Sequence, residues 1–173
     1  MKEIIIVRHG NWDFANDQLT EQGKARCLEL KPKLGSFAIA ISSPFDRTRE
    51  TAYLLSGIEP SVDERASILK SPPEFSQRVA ELRKTHPFGV AGAIISIPEL
   101  REPLRKQGER LLDLAKETLE QLADSESALI VSHDGTMVAA EKVLTETSFD
   151  KIDSTYGELE GFRLDESLNV TRL

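Results

Sequence analysis

Short apolar runs alternate with longer amphipathic stretches along most of the chain. The first run, EIIIV at residues 3–7, contains four consecutive β-branched residues, and similar runs occupy residues 37–42 and 127–132. Uninterrupted apolar runs of this length are typical of strands that are covered on both faces of a sheet. The pattern therefore predicts three buried strands.

The stretches that separate these runs have the spacing of helices with one apolar face. Thr20 and Ser43 stand in N-cap positions, and Gly57 is placed to end a helix. We predict helices at residues 19–34, 43–57, 108–124 and 134–144, and two short strands around a turn at 161–173. Alternation of strands and helices predicts an α/β fold on a largely parallel central sheet.

Residues 66–107 interrupt this alternation. They contain five of the eight prolines and seven Lys or Arg residues against four Asp or Glu, a local charge of +3 in a chain whose formal net charge is −7. This composition favours an irregular, cap-like excursion that covers a site, and the positive balance suits an anionic substrate. The alternative is a long surface connection with incidental charge.

Length and composition limit the class of protein. A chain of 173 residues suits one well-packed domain, so we expect a single domain over 1–173. The net charge of −7 argues against a general nucleic-acid binder. One cysteine, Cys27, excludes an intramolecular disulfide and is expected to pack in the core. Without a membrane-length apolar stretch or a signal-peptide core, the expectation is a cytoplasmic protein with no membrane partner.

Two of the three histidines follow predicted strands. His9 comes directly after EIIIVR, and His133 comes directly after ALIVS. Ligands of open α/β sheets bind beyond the carboxyl ends of the strands, so we expect both imidazoles to meet in one crevice. The alternative is a pair of unrelated loop histidines. The third histidine, His86, is expected to be a plain loop residue.

Arginines lie close to these features. Arg8 precedes the first histidine, and Arg47 and Arg49 fall early in the predicted helix at 43–57. A cation near a helix N-terminus interacts unfavourably with the helix dipole. An anion bound at the same terminus would offset this cost. We expect Arg47 to contact an anion, with ion pairs to neighbouring carboxylates as the alternative. For Arg49 we expect such ion pairs.

Phosphate chemistry fits these residue types best. Guanidinium groups match phosphate oxygens in shape and charge. The chain has no HExxH spacing or carboxylate cluster for zinc and no Walker or GxGxxG loop, and Ser132 lacks the G-x-S-x-G elbow of a serine hydrolase. We therefore predict histidine-dependent chemistry on phosphate, with no metal and no other cofactor.

Four segments, taken in order, give the chain a family resemblance. VRHG (7–10), LTEQGKAR (19–26), SSPFDRTRETA (42–52) and IVSHDG (130–135) together resemble the histidine phosphatase superfamily, which includes the cofactor-dependent phosphoglycerate mutases. The chain looks like a small member of its branch 1. The resemblance implies a three-layer α/β sandwich with helices on both faces of the sheet.

Matched residue by residue, the resemblance implies a role for each pocket residue. His9 is the nucleophile that becomes phosphorylated, Arg8 and Arg47 hold the phosphoryl group, and His133 is the second pocket histidine. In-line transfer needs a neutral imidazole nitrogen behind phosphorus and cationic donors around three equatorial oxygens. These residue types supply both.

The general acid of the family is missing from its usual place. The matching stretch, DERASI (63–68), puts Ile68 where many members have a glutamate. Asp134, beside His133, resembles the aspartate that protonates the leaving group in the acid phosphatase and phytase branch. Its alternative role is a helix N-cap. Glu64 is the second candidate acid, and a site without a dedicated acid is the remaining alternative.

The predicted function is hydrolysis of phosphomonoesters, or of phosphohistidine, through a phosphohistidine intermediate on His9. Two alternatives are a phosphoglycerate mutase-like phosphotransferase and a phospho-ligand binding or regulatory module with weak catalysis. The expected partner is a small phosphorylated substrate or a phosphohistidine protein, and no nucleic acid. The sequence does not determine the oligomeric state.

Overall fold

A six-stranded sheet with helices on both faces forms the centre of the protein. The computed structural model describes all residues, 1–173. The strands are β1 (Glu3–Arg8), β2 (Trp12–Asp13), β3 (Gln18–Leu19), β4 (Ile39–Ser42), β5 (Ser61–Val62), β6 (Ser127–Ser132), β7 (Gly161–Asp165) and β8 (Val170–Arg172). The helices are α1 (Glu21–Leu34), α2 (Asp46–Ser56), α3 (Pro73–Leu82), α4 (Gly89–Ile95), α5 (Pro98–Gln121) and α6 (Asp134–Leu144), with a 3-10 turn at Glu64–Ala66.

The sheet is largely parallel. Its strand order is β5-β4-β6-β1-β7-β8, in which the first four strands run parallel. The last two strands, β7 and β8, each run antiparallel to the strand before them in this order. β2 and β3 form a separate hairpin after β1. This arrangement confirms the predicted α/β fold with a largely parallel sheet and helices on both faces.

The apolar run of β1 is buried because helices cover both faces of the sheet. Ile4 and Ile6 belong to a core shared with α5 and α6, while Ile5 and Val7 pack with α1 and α2 on the other side. All four side chains are fully buried. Successive side chains of a strand point to opposite faces, so a doubly covered strand requires an uninterrupted apolar run.

The two predicted helix caps differ in outcome. Thr20 caps α1 as expected, because its hydroxyl oxygen accepts a hydrogen bond from the Gly23 N–H at 3.1 Å. The predicted N-cap at Ser43 is wrong, since α2 begins later and Phe45 occupies the cap position without a side-chain bond. The Ser43 hydroxyl is instead part of a buried hydrogen-bond network.

Residues 66–107 are largely helical, so the prediction of an irregular excursion is wrong. α3 and α4 lie in this range, and α5 begins there, well before the predicted helix start at residue 108. Pro73 and Pro98 occupy first turns, where the N–H that proline lacks would have no helical partner. Two of the five prolines therefore start helices, while Pro103 lies within α5.

α3 and α4 contribute one wall of a cavity that opens beyond the ends of β1 and β6. No helix in the protein has the length and apolar character that crossing a membrane requires.

The packing of α5 on α6 depends on a glycine. A Cβ atom at Gly108 would lie 2.5 Å from the Ala139 carbonyl carbon and 2.7 Å from the Ala140 nitrogen. We predict that Gly108→Ala lowers the free energy of unfolding by about 1–3 kcal/mol, because helix backbone cannot move aside as a side chain can. Urea unfolding followed by circular dichroism measures the change.

Gly135→Ala is the matched control for Gly108→Ala. The nearest atom to its added Cβ would be 3.9 Å away, so the methyl group has room. Because alanine is favoured over glycine within helices, this variant is expected to keep its stability or gain up to about 1 kcal/mol. Equal losses in the two variants would contradict the packing argument.

Candidate active site

Adjacent parallel strands bring two histidines together. In the register of β1 and β6, Arg8 pairs with Ser132, so His9 and His133 are the next residues on neighbouring strand ends. The His9 backbone N–H donates to the Ser132 carbonyl at 3.3 Å, and the two ring centroids are 5.2 Å apart. Both side chains are buried. The two histidines thus share one crevice, as expected.

The crevice arises from the direction of the connections. β1 leads through the hairpin to α1 on one face of the sheet, while β6 leads directly into α6 on the other face. When neighbouring parallel strands send their chains to opposite faces, a cleft opens at the carboxyl edge. The N-terminus of α6 lies at this edge, where its free N–H groups favour an anion.

His9 has the proton arrangement of a nucleophile. Its Nδ1 lies 2.9 Å from the Gly10 carbonyl oxygen, which can only accept, so Nδ1 carries the proton and Nε2 carries the free electron pair. Burial, and to a lesser extent the charges of Arg47 and Arg8, lowers the pKa of His9 from 6.5 to about 4. The ring is therefore neutral at physiological pH.

A chain of hydrogen bonds fixes the ring of His133. The Thr48 hydroxyl donates to the Phe45 carbonyl at 2.7 Å, so its oxygen accepts from Ser43, also at 2.7 Å. The Ser43 oxygen accepts in turn from Nε2 of His133 at 2.8 Å. Burial, together with neighbouring cationic groups, lowers the pKa of His133 well below its ordinary value. A bound anion would oppose this effect and favour a second proton, on Nδ1.

Two arginines contribute buried N–H groups that have no partner. The Nε atoms of Arg8 and Arg47 are both buried and make no hydrogen bond. Buried donors are almost always paired in folded proteins, so an unpaired guanidinium nitrogen marks a place where an acceptor can bind. Both side chains line the same cavity, and an oxyanion there would supply the missing acceptors.

Aromatic rings and a carboxylate hold the Arg47 guanidinium in place. Its Cζ atom lies 4.1 Å from the Trp12 ring centroid and 4.4 Å from the Phe45 ring centroid. Asp17, in the β2–β3 turn, accepts a hydrogen bond from Arg47 and another from the Asp46 N–H at 2.9 Å. These contacts restrict the planar group to one orientation. Its ion-pair partner is distant along the chain rather than a neighbouring carboxylate.

Asp134 begins α6 but does not cap it. Its Oδ1 accepts from the Thr155 hydroxyl and from the Tyr156 N–H, the latter at 2.9 Å. The Tyr156 carbonyl oxygen accepts in turn from Arg8 Nη1 at 2.6 Å. The alternative role of Asp134 as N-cap is wrong, because His133 occupies that position. Asp134 instead supports the loop that orients Arg8, and it also lines the cavity.

The candidate acids lie in different places. Asp134 is the one carboxylate residue in the cavity lining. Ile68, at the position where the family resemblance leads one to expect an acid, lines the wall. The Glu64 side chain is 60% exposed, lies 3.9 Å from the Lys70 ammonium and is not part of the lining. The structure therefore brings Asp134 to the cavity and leaves Glu64 outside it.

The cavity that contains these residues has a volume of about 790 Å³. The lining has a polar part and an apolar part. Most of the apolar part comes from the β2–β3 hairpin, residues 68–69, α3 and α4. Arg83 and Lys84 are the two residues of 66–107 that bring positive charge to it. The cavity can therefore hold a phosphate together with an organic group of considerable size.

Other cations serve the structure. Arg101 donates from Nε to the Ile95 carbonyl at 2.9 Å and pairs with Asp150, so it holds the start of α5. Arg49 lies 3.8 Å from the carboxylate of Asp46 and 3.7 Å from that of Glu59, as predicted. The positive balance of 66–107 is therefore only partly directed at the cavity.

Cys27 is fully buried in the core beneath α1 and α2, as expected. Burial is the main cause that raises the pKa of its thiol to about 12, so the sulfur stays protonated and unreactive.

Two site residues could not be assigned from the sequence. Asp17 lies 30 residues from Arg47 along the chain, and a turn residue with a positive φ of 58° carries no signal of an ion-pair partner. Ser43 carried a signal, but that signal pointed to a helix cap, because the segment SSPFD has the composition of a helix start.

Comparisons with known proteins identify relatives by sequence and by structure. The family described as histidine phosphatase superfamily (branch 1) matches residues 4–160. A search of curated protein sequences finds no match.

Solved structures share the fold at low sequence identity. Bacillus stearothermophilus YhfR is 20% identical, with a TM-score of 0.74 over 99% of this chain and 95% of that one. Phosphoserine phosphatase from Entamoeba histolytica, in complex with 3-phosphoglyceric acid, is 20% identical, with a TM-score of 0.65 and coverage of 99% and 95%. Phosphoglycerate mutase from Bacillus anthracis is 17% identical, with a TM-score of 0.64 and coverage of 99% and 92%.

The lowered pKa of His9 has a consequence for stability. Between about pH 4 and pH 6.5 the unfolded chain binds a proton at this ring that the folded protein does not. Stability therefore falls as the pH is lowered through this range. The variant His9→Gln lacks this titrating ring. When the pH is lowered from about 7 to about 4.5, we predict that the loss of unfolding free energy is about 2 kcal/mol larger in the parent than in His9→Gln.

Urea unfolding at the two pH values measures this difference. The buffer must be free of phosphate and sulfate, because a bound anion would stabilise the protonated ring. The same loss of stability in both proteins would show that His9 is not held neutral by the fold.

Proposed function

This chain belongs to branch 1 of the histidine phosphatase superfamily, and on that premise we propose that it is a metal-independent phosphatase that hydrolyses phosphomonoesters through a phosphohistidine intermediate on His9. One observation carries the proposal. A neutral, buried imidazole with a free Nε2 lines the same cavity as two arginines whose buried Nε atoms lack acceptors. Phosphoryl transfer needs a nucleophile and an oxyanion site.

Binding of the phosphate completes the hydrogen bonding of the cavity. Its oxygens accept from Arg8 and Arg47, including their unpaired Nε atoms, and from His133 once that ring carries a second proton. Two guanidinium groups and an imidazolium then face the phosphate. Their charge neutralises the oxygens of the transition state without a metal ion.

His9 performs the first transfer. Its Nε2 forms the bond to phosphorus as the bond from phosphorus to the ester oxygen breaks, and the ring becomes cationic. The hydrogen bond from Nδ1 to the Gly10 carbonyl strengthens as this charge develops, and it keeps Nε2 aimed into the cavity. The product of this step is phosphorylated His9 and an alkoxide that needs a proton.

Asp134 supplies that proton in our proposal. Thr155 and Tyr156 both donate to its Oδ1, which leaves Oδ2 as the oxygen that carries the proton to the leaving group. In the second step water attacks phosphorus, the Asp134 carboxylate accepts its proton, and the bond from phosphorus to Nε2 breaks. Inorganic phosphate is released, and both residues return to their starting states.

Water is the final acceptor in this proposal, although relatives of this fold include a phosphatase and a mutase. A mutase must retain its phosphorylated intermediate long enough to return the phosphoryl group. The largely apolar wall beside the phosphate site offers few groups for that purpose. Hydrolysis needs only that the alcohol leaves and water enters.

The first test is hydrolysis of p-nitrophenyl phosphate in excess EDTA. Turnover is expected to survive chelation and to fall at least about 1,000-fold in His9→Ala, because the nucleophile is lost. The variant should still bind inorganic phosphate through its two arginines, which separates loss of chemistry from loss of the pocket. Turnover that stops on chelation, or persists in the variant, would overturn the mechanism.

A matched pair of variants tests the general acid. Asp134→Asn is expected to slow an alkyl phosphate about 100-fold and p-nitrophenyl phosphate less than about tenfold, because nitrophenolate leaves without a proton. Glu64→Gln should change neither rate, because this carboxylate lies outside the cavity. The measurement is kcat on both substrates.

Equal losses on both substrates in Asp134→Asn would contradict the acid role. That result would instead assign Asp134 to the support of Arg8 alone, since a displaced guanidinium slows transfer from every phosphate ester.

A further inference from the structure

The cavity is larger and more apolar than phosphate transfer requires. A phosphate would fill only part of the cavity volume of about 790 Å³. The lining includes six apolar side chains that we call the apolar wall: Phe14, Ile68, Leu69, Val79, Phe88 and Val90.

We infer that the alcohol released by this enzyme is a bulky hydrocarbon, which packs on the apolar wall while Arg8 and Arg47 hold its phosphate. The inference rests on the proposed function and adds to it the class of substrate.

Several wall residues are exposed although they are apolar. Phe14 is 74% exposed, Val90 is 43% exposed and Ile68 is 37% exposed. These three side chains come from separate parts of the chain and gather around one cavity beside the phosphate-holding groups. An apolar surface that is continuous with a reactive centre is typical of a binding site for an apolar group.

A polar alcohol would fit this wall poorly. Hydroxyl groups that enter an apolar site lose hydrogen bonds to water and gain none in return, which lowers affinity. Transfer of a hydrocarbon group to the same site is favourable, and its free energy is proportional to the apolar area that leaves water. The wall therefore discriminates between alcohols at the part of the substrate that the phosphate-holding groups do not touch.

Ile68 places this selectivity close to the chemistry. This aliphatic side chain lines the cavity that also contains His9, Arg8 and Arg47. A carboxylate would need water or a hydrogen-bond partner, whereas isoleucine needs neither and packs against hydrocarbon.

The wall is also held in shape from behind. A Cβ atom at Gly92 of α4 would lie 1.9 Å from the His86 Nδ1, so the imidazole packs directly on the helix backbone. The same nitrogen accepts a hydrogen bond from the Phe88 N–H at 3.1 Å. His86 thus fixes the segment that carries Phe88 and Val90, and a preformed wall loses little entropy on binding.

Two cations adjoin the wall, and they define the competing possibility. Arg83 and Lys84 line the cavity, and the Arg83 guanidinium carbon lies 5.9 Å from the Phe14 ring centroid. Part of the positive charge therefore faces an aromatic ring. A polar substrate with a second anionic group is the alternative that the experiment must separate.

The experiment measures kcat/KM for propyl, butyl, pentyl and hexyl phosphate. Their leaving groups have nearly equal acidity, so the chemical step is constant and only the hydrocarbon length changes. We expect kcat/KM to rise about fourfold per methylene group that is buried on the wall. Phosphoserine, which carries a second anionic group, is the polar comparison and should be a poorer substrate than hexyl phosphate.

Val90→Asn tests whether the wall is responsible. Because Val90 is partly exposed, the fold should survive, and the gain from propyl to hexyl phosphate should shrink at least about fivefold. Val62→Asn is the matched control, since Val62 is 50% exposed on the edge strand β5 and lies outside the cavity. It should leave the gain unchanged. Ile68→Asn repeats the test from a second side of the wall.

The outcomes separate the two proposals. Turnover still depends on His9 in the first two outcomes. If kcat/KM then does not change with hydrocarbon length, or if phosphoserine is the best substrate, the apolar substrate is overturned and the proposed phosphatase activity stands. A steep series that Val90→Asn and Ile68→Asn do not flatten would also overturn the role of the wall. Absence of turnover that depends on His9, for every ester, would overturn both proposals.

Discussion

The pairing of β1 with β6 in one register is the constraint on which the site depends. Because Arg8 is opposite Ser132, the residues that follow are two histidines on neighbouring strand ends. A slip of one residue would turn every side chain of β1 to the other face of the sheet. Burial of Ile4 to Val7 on both faces prevents that slip, since the residues that flank this run are polar. Core packing thus sets the relative positions of His9 and His133.

Charge at the site serves two purposes at once. Arg8 and Arg47 are fixed by a backbone carbonyl, two aromatic rings and the carboxylate of Asp17, yet each keeps a buried nitrogen without an acceptor. The same cations help to hold His9 neutral, since a positive ring beside them is unfavourable. A bound anion would supply acceptors to the arginines without removing the free electron pair of His9. Binding and nucleophilicity therefore depend on one arrangement of charge.

The cavity joins two kinds of recognition on different parts of the fold. Strand ends and the first turns of α2 and α6 provide the polar residues, which need fixed geometry because charge-assisted bonds depend on distance and angle. The hairpin, α3 and α4 provide apolar surface, whose contribution depends mainly on area. In the proposed function, elements that sit on the sheet carry the reaction, and elements added beyond it carry the choice of leaving group.

By itself the sequence determined five of the eight strands, four of the six helices, the largely parallel sheet and five residues that line one cavity, because burial and helix capping leave local, periodic signals. It did not show that prolines in 66–107 start helices, since proline favours a first turn and a loop alike. Only the tertiary structure showed that Ser43 is hydrogen-bonded to His133, that Asp17 pairs with Arg47, and that Asp134 is linked to Arg8 through a loop distant along the chain. Such contacts join residues far apart along the chain, and no local pattern records a partner that folding alone brings near.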